Sequence, residues 1–403
     1  MNKQVFCIFL MVLYIIQDII GIIPIKNASL FLFVIWCTSL LMTSNSSTLF
    51  KETSINRAIP FLVIVYLTSM LVLGPFLSLV KVVYTTRVLA PILMYAYLKD
   101  KTPRIWLFVS LVFIFCVVLK SLEYSNLIDM LGAEGGLRVT VHDDSSDYDR
   151  DSFAFIYALT IIITALSYSI VVIYRNAKHG VKKLLLLSGL IVTAYLLFSL
   201  VLKALFTTAI IVTVIGVILS VCYSQDIRKT TYKSVVLVGM VSILFISYAA
   251  VFQKYASDIG SDTLSARLDE VYNILMGNSH KADDFNSRQE LNWVSIKTFL
   301  SNPIIGVNYR LAGSIDETMI GNHAEWFDDL ARYGVFAFFL FSFLIKNAKK
   351  QYSENKVAIP YMLIGVLGFL NPIFTPVCFS AAFLFFPLIC KILNYNYNTR
   401  YND

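Results

Sequence analysis

Residues 321–334 read GNHAEWFDDLARYG and close a long hydrophilic stretch, residues 252–325. The chain around that stretch is almost wholly apolar: 57% of the 403 residues are hydrophobic, 15% are charged, and the mean hydropathy is +0.70. Soluble chains usually carry about 25% charged residues. The composition therefore indicates a polytopic membrane protein, and a long outer loop that ends in a histidine indicates chemistry at the bilayer edge.

The apolar segments are long enough to cross a bilayer as helices. They predict an all-α polytopic membrane protein with about 12 transmembrane helices and two extracytoplasmic loops, the larger one partly helical. The candidate spans are residues 5–24, 28–44, 59–80, 82–98, 105–121, 152–174, 184–202, 205–223, 234–251, 329–345, 357–371 and 377–393. So little separates the third from the fourth that the two could form one broken unit.

Positive charge sets the predicted orientation, because cytoplasmic loops retain lysine and arginine. Four short loops rich in these residues fall on one side if both termini are cytoplasmic: residues 99–104, 175–183, 225–233 and 346–356. The predicted division is N-terminal helices (1–121), a first extracytoplasmic loop (122–151), central helices (152–251), a large extracytoplasmic loop (252–325), and C-terminal helices with a cytoplasmic tail (326–403).

The net charge of +7 mostly reflects these inner loops and does not indicate a nucleic-acid partner. All six cysteines lie in or beside apolar spans, so we expect neither a disulfide framework nor a CxxC metal site. Lys3 precedes an apolar run without a small-residue cleavage site, which favours an uncleaved first span.

The large outer loop contains helix signals of its own. Residues 263–276 are amphipathic at helical spacing. Residues 287–290 read SRQE and fit a capping box, and Asn302-Pro303 ends the helix that it opens. A further start at Asn322 predicts that the next residue, His323, lies in the first turn of the tenth span.

Basic residues on the outer side are candidate anion ligands. Arg138, Arg267 and Arg288 lie in the outer loops, and Lys203 lies at the outer end of a span. The planar fork of arginine suits bidentate recognition of phosphate, and the anion expected at this surface is a lipid-linked diphosphate. A surface salt bridge is the alternative interpretation for Arg267 and Arg288.

Other charged residues have simpler interpretations. Arg87 is expected to extend its charge to the headgroups, as long basic side chains at span ends often do. Asp18 lies within the first span, where it either holds the bundle together or lines a cavity. Asp328 and Arg332 stand four residues apart on a helix and are predicted to pair.

His323 is the candidate catalytic base. The positive end of the helix dipole disfavours the imidazolium, and a neutral imidazole can accept a proton near pH 7. Glu325 lies close enough in sequence to orient the ring. The alternative is an interfacial histidine that caps its own helix. No metal or other cofactor is expected, because no second histidine follows at helical spacing.

Two segments, SRQELNWVSIKTFLSNPIIGV at residues 287–307 and GNHAEWFDDLARYGVF at 321–336, resemble the large periplasmic loop of the O-antigen polymerase and O-antigen ligase superfamily. In that family an arginine-led helix ends in Asn-Pro-hydrophobic-hydrophobic-Gly. A histidine then precedes a span that carries Leu-x-x-x-Gly, matched here by Leu330 and Gly334.

The resemblance covers about residues 120–345 and includes Arg138 as the match to an upstream loop arginine. The chain departs from the family at Ala324, where Asn or Ser is frequent, and at Val307-Asn308, where a second glycine often follows. A family Thr-x-Ser-Arg turn is also replaced by a segment whose only charge is Lys203. These departures do not separate the polymerase from the ligase.

The resemblance implies a Wzy-type O-antigen or surface-polysaccharide polymerase in the bacterial inner membrane, with its active site facing the periplasm. It would join undecaprenyl-diphosphate-linked oligosaccharides by inverting, metal-independent glycosyl transfer. Arg138, Arg267 and Arg288, with Lys203, would bind the donor diphosphate, and His323 positioned by Glu325 would be the base.

The partners implied are membrane lipid, a chain-length regulator protein and a flippase. One alternative is an O-antigen ligase, which would transfer the glycan to lipid A-core. Another is a polysaccharide flippase or other transporter, although transporters tend to place polar residues near the midplane and here the charge gathers at one surface.

Overall fold

The computed structural model describes residues 3–23, 28–42, 46–131, 146–176, 180–204, 206–223, 237, 269, 272–273, 276, 283–308 and 320–398. These residues are mostly helical and contain no β-strand. The chain forms two compact units, Met1–Lys120 with Asn292–Asp403, and Ser121–Leu291.

The main helices of the described residues are α1 (Lys3–Ile20), α2 (Ala28–Leu41), α3 (Ser46–Thr53), α4 (Ile59–Leu98), α5 (Pro103–Leu131), α6 (Ser146–Asn176), α7 (Val181–Lys203), α8 (Thr207–Val221), α9 (Asp283–Ser301), α10 (Glu325–Tyr333), α11 (Ala337–Asn355), α12 (Ile359–Leu370) and α13 (Pro376–Ser380, the π-helical Ala381–Phe385, and Phe386–Asn398).

Among the described residues, six helices are long and apolar enough to cross a membrane: Lys3–Ile20, Ile55–Leu98, Pro103–Met130, Ala154–Asn176, Val181–Lys203 and Pro376–Asn396. Shorter apolar helices lie at three other predicted spans: Ala28–Leu41, Thr208–Val221 and Ile359–Leu370. The prediction of an all-α membrane protein is confirmed. The count of twelve spans stays a prediction, and the predicted ninth span lies almost wholly outside the described residues.

The long helix α4 folds back on itself at Gly74. A straight helix of 40 residues would separate its two ends by about 60 Å. Glu52 precedes α4 and Lys99 follows it, yet the Lys99 ammonium lies 2.7 Å from the Glu52 carboxylate. Gly74 has φ 76° and ψ 170°, a conformation open to glycine and strained for other residues. The third and fourth predicted spans are therefore the two limbs of a helical hairpin.

The open end of this hairpin carries a set of ion pairs, which we call the inner cluster: Glu52, Lys99, Lys350 and Glu354. Lys99 lies 3.8 Å from Glu354, and Lys350 lies 3.8 Å from Glu52. Burial raises the pKa of the Glu52 carboxyl, but the hydrogen bond and charge of Lys99 and the charge of Lys350 outweigh it, so this pKa lies below its ordinary value. Two loops that were predicted to share the cytoplasmic side, residues 99–104 and 346–356, meet here.

A buried ion pair joins α1 to the second limb of α4. The guanidinium of Arg87 lies 3.7 Å from the carboxylate of Asp18 and donates a hydrogen bond to the Ser29 hydroxyl. Arg87 is only 8% exposed. The prediction that Arg87 extends to the headgroups is therefore wrong, because a carboxylate within the bundle neutralises its charge.

In the second unit, α6 is the buried central helix and packs against α7 and α8. Gly216 of α8 lies so close to Thr164 of α6 that a Cβ there would overlap the threonine hydroxyl. Ser220 adds a hydrogen bond to the carbonyl of Thr164 at 3.1 Å. Small residues and hydroxyls thus allow close helix packing, as in other membrane bundles.

Candidate functional site

The helix α10 turns its charged face towards the protein interior. Glu325, Asp328 and Asp329 are only 2%, 1% and 4% exposed, whereas Trp326 and Leu330 on the opposite face are partly exposed. A surface helix of a soluble protein has the reverse arrangement. Buried acids that face a membrane bundle's interior are expensive and usually functional. These three acids and Arg332, at the end of the same helix, form what we call the α10 cluster.

Asp328 fixes the turn that enters α10. Its Oδ2 accepts a hydrogen bond from the backbone N–H of Ala324 at 3.2 Å, and its Oδ1 accepts one from the Ser295 hydroxyl at 2.6 Å. The Ser295 oxygen in turn accepts the N–H of Gly321 at 2.9 Å. The side chain thus satisfies an N–H at the helix start, like the acidic arm of a capping box, and ties the turn to α9.

His323 lies in this turn and is half-buried. The helix begins at Glu325 with Ala324 as its N-cap residue, so the prediction that His323 lies in the first helical turn is wrong. Asn322, at φ 54°, reverses the chain just before the histidine. The side chain that caps the helix is that of Asp328, which leaves the imidazole outside the helix at the positive end of its dipole.

Arg332 is the cation of the α10 cluster. Its Nη1 lies 3.8 Å from Glu325 Oε1 and 3.9 Å from Asp329 Oδ1. Its Nη2 donates a hydrogen bond to Asn322 Oδ1 at 2.7 Å. The predicted pairing with Asp328 is replaced by a pairing with Asp329, three residues away, because the carboxylate of Asp328 is engaged in the entry turn.

Glu325 is also held from outside its own helix. Its Oε2 accepts the backbone N–H of Phe374 at 2.8 Å, in the loop between α12 and α13. The carboxylate is therefore fixed by a neutral donor on one side and by Arg332 on the other. Such an arrangement holds a buried carboxylate in one orientation.

Two glycines join the end of α10 to the turn after α9. A Cβ on Gly306 would overlap the backbone carbonyl of Arg332, and a Cβ on Gly334 would overlap the carbonyls of Pro303 and Ile304. Both glycines have positive φ, +64° and +60°. Backbone hydrogen bonds close the contact, from Val307 N–H to the Ala331 carbonyl and from Val335 N–H to the Pro303 carbonyl, at 3.0 and 2.8 Å.

This backbone contact gives the two quoted sequence segments a physical meaning. The Asn-Pro-Ile-Ile-Gly turn and the Leu-Ala-Arg-Tyr-Gly segment pack main chain against main chain. Glycine is required at both contact points because any side chain would separate the two segments. Together they hold α10 rigidly.

A lysine from the hairpin approaches the same region. Lys81, on the second limb of α4, donates a hydrogen bond to Asn308 Oδ1 at 3.1 Å. Asn308 is 3% exposed, and its amide donates to the Thr68 hydroxyl at 2.8 Å. Asn308 therefore connects both limbs of the hairpin to the backbone contact made at Gly306 and Gly334, which we call the glycine contact.

The apolar face of α10 borders a cavity of about 410 Å³ between α11 and α12. Its walls are aromatic and aliphatic, with Trp326 and Leu330 at the α10 end. The indole N–H of Trp326 donates to the Gly365 carbonyl at 2.9 Å, which fixes the ring in place. In a membrane-spanning bundle, such an apolar space suits a hydrocarbon chain.

The remaining predicted ligands are placed as follows. Arg138 and Arg267 lie outside the described residues. Arg288 lies on α9, and its side chain is likewise outside what the structure describes. Lys203 ends α7 in the second unit, where its ammonium lies 2.8 Å from Asp129 Oδ2. The predicted anion site is thus not assembled by the described residues.

Several residues of this region escaped the sequence prediction. Lys81 could have been identified from the sequence, since a charged residue inside an apolar span is unusual. Asn308 belongs to the Val307-Asn308 pair, where the sequence departs from the pattern that it resembles, and that departure was also a signal. Ser295 had none, because nothing in its neighbourhood shows that its hydroxyl faces Asp328. No known protein-family model and no curated protein sequence matches the chain.

Proposed function

We propose that this protein is a polymerase of lipid-linked glycans, acting on undecaprenyl-diphosphate-linked repeat units at the outer face of the bacterial cytoplasmic membrane. The observation that carries the proposal is the α10 cluster with His323. The two segments that give the family resemblance are the ones that the glycine contact locks together around it. A rigid, charged, interior-facing site beside a half-buried histidine fits a catalytic role better than an anchoring one.

The reaction requires proton removal and leaving-group stabilisation. The acceptor hydroxyl attacks the anomeric carbon, the bond from that carbon to the diphosphate oxygen breaks, and the lipid diphosphate leaves with the electron pair. His323 takes the hydroxyl proton, and in-line attack inverts the anomeric configuration. General-base assistance of this kind is typically worth about 10²- to 10⁴-fold in rate.

The lipid portions of both substrates need an apolar path next to the chemistry. The cavity beside Trp326 and Leu330 borders the same helix whose other face carries the acids. A lipid-borne sugar could thus have its chain in hydrocarbon and its headgroup near His323. This proximity favours a lipid-linked substrate over a soluble one.

Lys203 can bind a diphosphate only by exchanging its present partner. The Lys203 and Asp129 side chains are 40% and 59% exposed. An ion pair as exposed as this is worth about 1 kcal/mol or less. A diphosphate with more than one negative charge would therefore displace Asp129 readily.

The test is polymerisation by the purified protein in detergent, with undecaprenyl-diphosphate repeat units as the only substrate. Wild type should produce a ladder of longer lipid-linked glycans. His323→Ala should lower the rate by about 10²-fold or more. Glu325→Gln, which removes the buried charge, should also lower the rate, whereas Glu290→Gln at an exposed position on α9 should not.

The outcomes separate the alternatives. A ladder that survives His323→Ala keeps the polymerase and removes this histidine from the chemistry. A wild-type protein that makes no ladder, yet transfers the glycan when lipid A-core is added, is a ligase. A protein inactive in both assays refutes the enzymatic proposal and leaves transport as the function to test.

A further inference from the structure

Three basic side chains line a second cavity, of about 510 Å³, between α11 and the one-turn helix Ile55–Arg57. Arg57 reaches it from the end of that short helix, and Lys346 and Lys349 reach it from α11. All three are exposed, so the space opens to the surroundings of the protein. The described residues that line it include no acid. We call this space the basic cavity.

The α11 wall of the basic cavity is one continuous face of the helix. Its residues recur at intervals of three and four, which places them on a single stripe about 16 Å long. We call it the α11 stripe: Phe338, Phe341, Ser342, Ile345, Lys346 and Lys349. The stripe begins with large apolar side chains and ends with two lysines.

The apolar end of the α11 stripe also borders the apolar cavity beside α10. Phe338, Phe341 and Ile345 line both spaces. Phe338 and Ile345 are 51% and 55% exposed, although they are large and apolar. The basic cavity therefore offers positive charge at one end and a hydrocarbon surface at the other.

Contacts within the same part of the chain hold the three cations together. Arg57 Nη1 donates a hydrogen bond to Ser342 Oγ at 3.0 Å, which places the arginine on the face of α11 that carries the lysines. Asn347 donates to the Thr53 carbonyl at 2.9 Å, and the next turn of α11 carries Lys350 of the inner cluster. The segment that carries Arg57 is thus fixed against α11.

We infer that the basic cavity binds an anionic phospholipid, with the phosphate among Arg57, Lys346 and Lys349 and an acyl chain against the apolar end of the α11 stripe. Residues 346–356 form one of the loops predicted to face the cytoplasm, where the leaflet carries anionic lipids. Basic pockets between helices on that side typically bind lipid headgroups. A soluble anion would not use the apolar end. The inference does not depend on the proposed function, whose reacting groups lie in and before α10.

The test is a titration of the purified full-length protein in detergent with long-chain phosphatidylglycerol, followed by the melting temperature and by the lipid retained on gel filtration. Wild type should gain thermal stability. Phosphatidylcholine, whose headgroup has no net charge, and glycerol phosphate, which has no acyl chain, should not stabilise it. Lys346→Gln combined with Lys349→Gln should weaken binding by about tenfold or more, because each basic residue near anionic lipid is worth about fivefold.

The matched control removes two positive charges from the same predicted side without changing the basic cavity. Arg104→Gln combined with Lys182→Gln alters two exposed residues that do not line it. Phosphatidylglycerol should bind this variant as it binds wild type. The comparison separates a defined site from the general attraction of basic loops to anionic lipid.

A second pair of variants tests the acyl-chain end. Ile345→Asn places a polar amide against the chain and should weaken phosphatidylglycerol binding by about fivefold. Val366→Asn is the control, because Val366 lies on α12 at 48% exposure and lines neither cavity. Its affinity should equal that of wild type.

The inference is supported if phosphatidylglycerol alone stabilises wild type and only the changes at Ile345, Lys346 and Lys349 weaken its binding. Equal weakening by both charge-removing pairs overturns it in favour of general surface attraction. An equal response to phosphatidylcholine, or to glycerol phosphate, overturns it in favour of apolar contact alone or of a soluble anion. Insensitivity to Ile345→Asn, or no response to phosphatidylglycerol, also overturns it. Because no glycan is transferred, the polymerase assay does not affect this result.

Discussion

The inner cluster and the α10 cluster are built from the same kinds of side chain and are held in different ways. The inner cluster sets two glutamates against two lysines, at the open end of the hairpin, with side chains 13 to 37% exposed. The α10 cluster sets three buried acids against one described arginine, whose closest ion-pair distances are 3.8 and 3.9 Å.

The difference separates the inner cluster, which stabilises the fold, from the α10 cluster, whose burial is not explained by the stability of the fold. Balanced and hydrated pairs contribute a little stability and need no further explanation. Buried acids are expensive to desolvate even where a cation and hydrogen-bond donors hold them, and apolar residues would serve the fold as well or better. A cluster that lowers the stability of the fold in this way is a candidate functional site.

The largest expected effect comes from breaking the contact that holds the α10 cluster rigid. Gly334→Ala places a Cβ against the carbonyls of Pro303 and Ile304 at a backbone conformation, φ 60° and ψ −143°, that only glycine tolerates. Strain and overpacking together should lower stability by about 4 kcal/mol. Thermal unfolding in detergent and protease resistance in membranes both measure this loss.

Gly189→Ala is the matched control, because nothing lies within 4 Å of a Cβ at that position in α7. This change should be neutral or stabilise the helix by about 0.5 to 1 kcal/mol. Equal behaviour of the two alanine variants would contradict the structural role of the glycine contact.

A smaller effect is expected when the arginine of the α10 cluster is removed. Arg332→Met removes the cation that lies 3.8 Å from Glu325 and 3.9 Å from Asp329, and should cost about 3 kcal/mol. Arg57→Met removes a more exposed arginine whose side chain donates to the Ser342 hydroxyl, and should cost about 0.5 kcal/mol or less.

A double-mutant cycle sharpens this comparison. Adding Asp329→Asn to Arg332→Met removes one of the two opposing carboxylates and should recover part of the lost stability. If the double variant is less stable than Arg332→Met by the full cost of Asp329→Asn alone, the two side chains do not interact and the ion pair is not a unit.

The smallest effect is expected in the inner cluster, as a pH dependence. The pKa of Glu52 is depressed in the folded protein, so its contribution is fully present above the ordinary glutamate value of about 4.3. That contribution disappears as pH falls through the lower folded value. The stability difference between wild type and Glu52→Gln, about 1 kcal/mol or less at pH 6, should vanish in this acid range.

The measurement is the melting temperature of both proteins between pH 3 and pH 7, a window that brackets the ordinary glutamate pKa. Glu123→Gln, at an exposed position near the end of α5, is the control for general acid effects. A difference that grows on acidification would mean that Glu52 carries a raised pKa and that the lysines do not stabilise its charge.

Much of the fold was predictable because hydropathy indicates which segments can lie within a lipid bilayer. The all-α class, most of the apolar helices and the shared side of residues 99–104 and 346–356 follow from apolar runs and from the placement of lysine and arginine. The turn at Asn302-Pro303 and a helix start within residues 321–334 were also visible, since proline and a charged entry to an apolar segment are local signals.

The partners within the site were decided by tertiary structure alone. Spacing on a helix predicted a pair between Asp328 and Arg332, but a hydroxyl from another helix, Ser295, takes the aspartate. Hydropathy likewise assigned Arg87 to the headgroups, although Asp18 on a different helix neutralises it. Lys81 joins the region only because α4 reverses at Gly74. A sequence states which charges a chain carries; which of them meet depends on helices that are distant in sequence and adjacent in space.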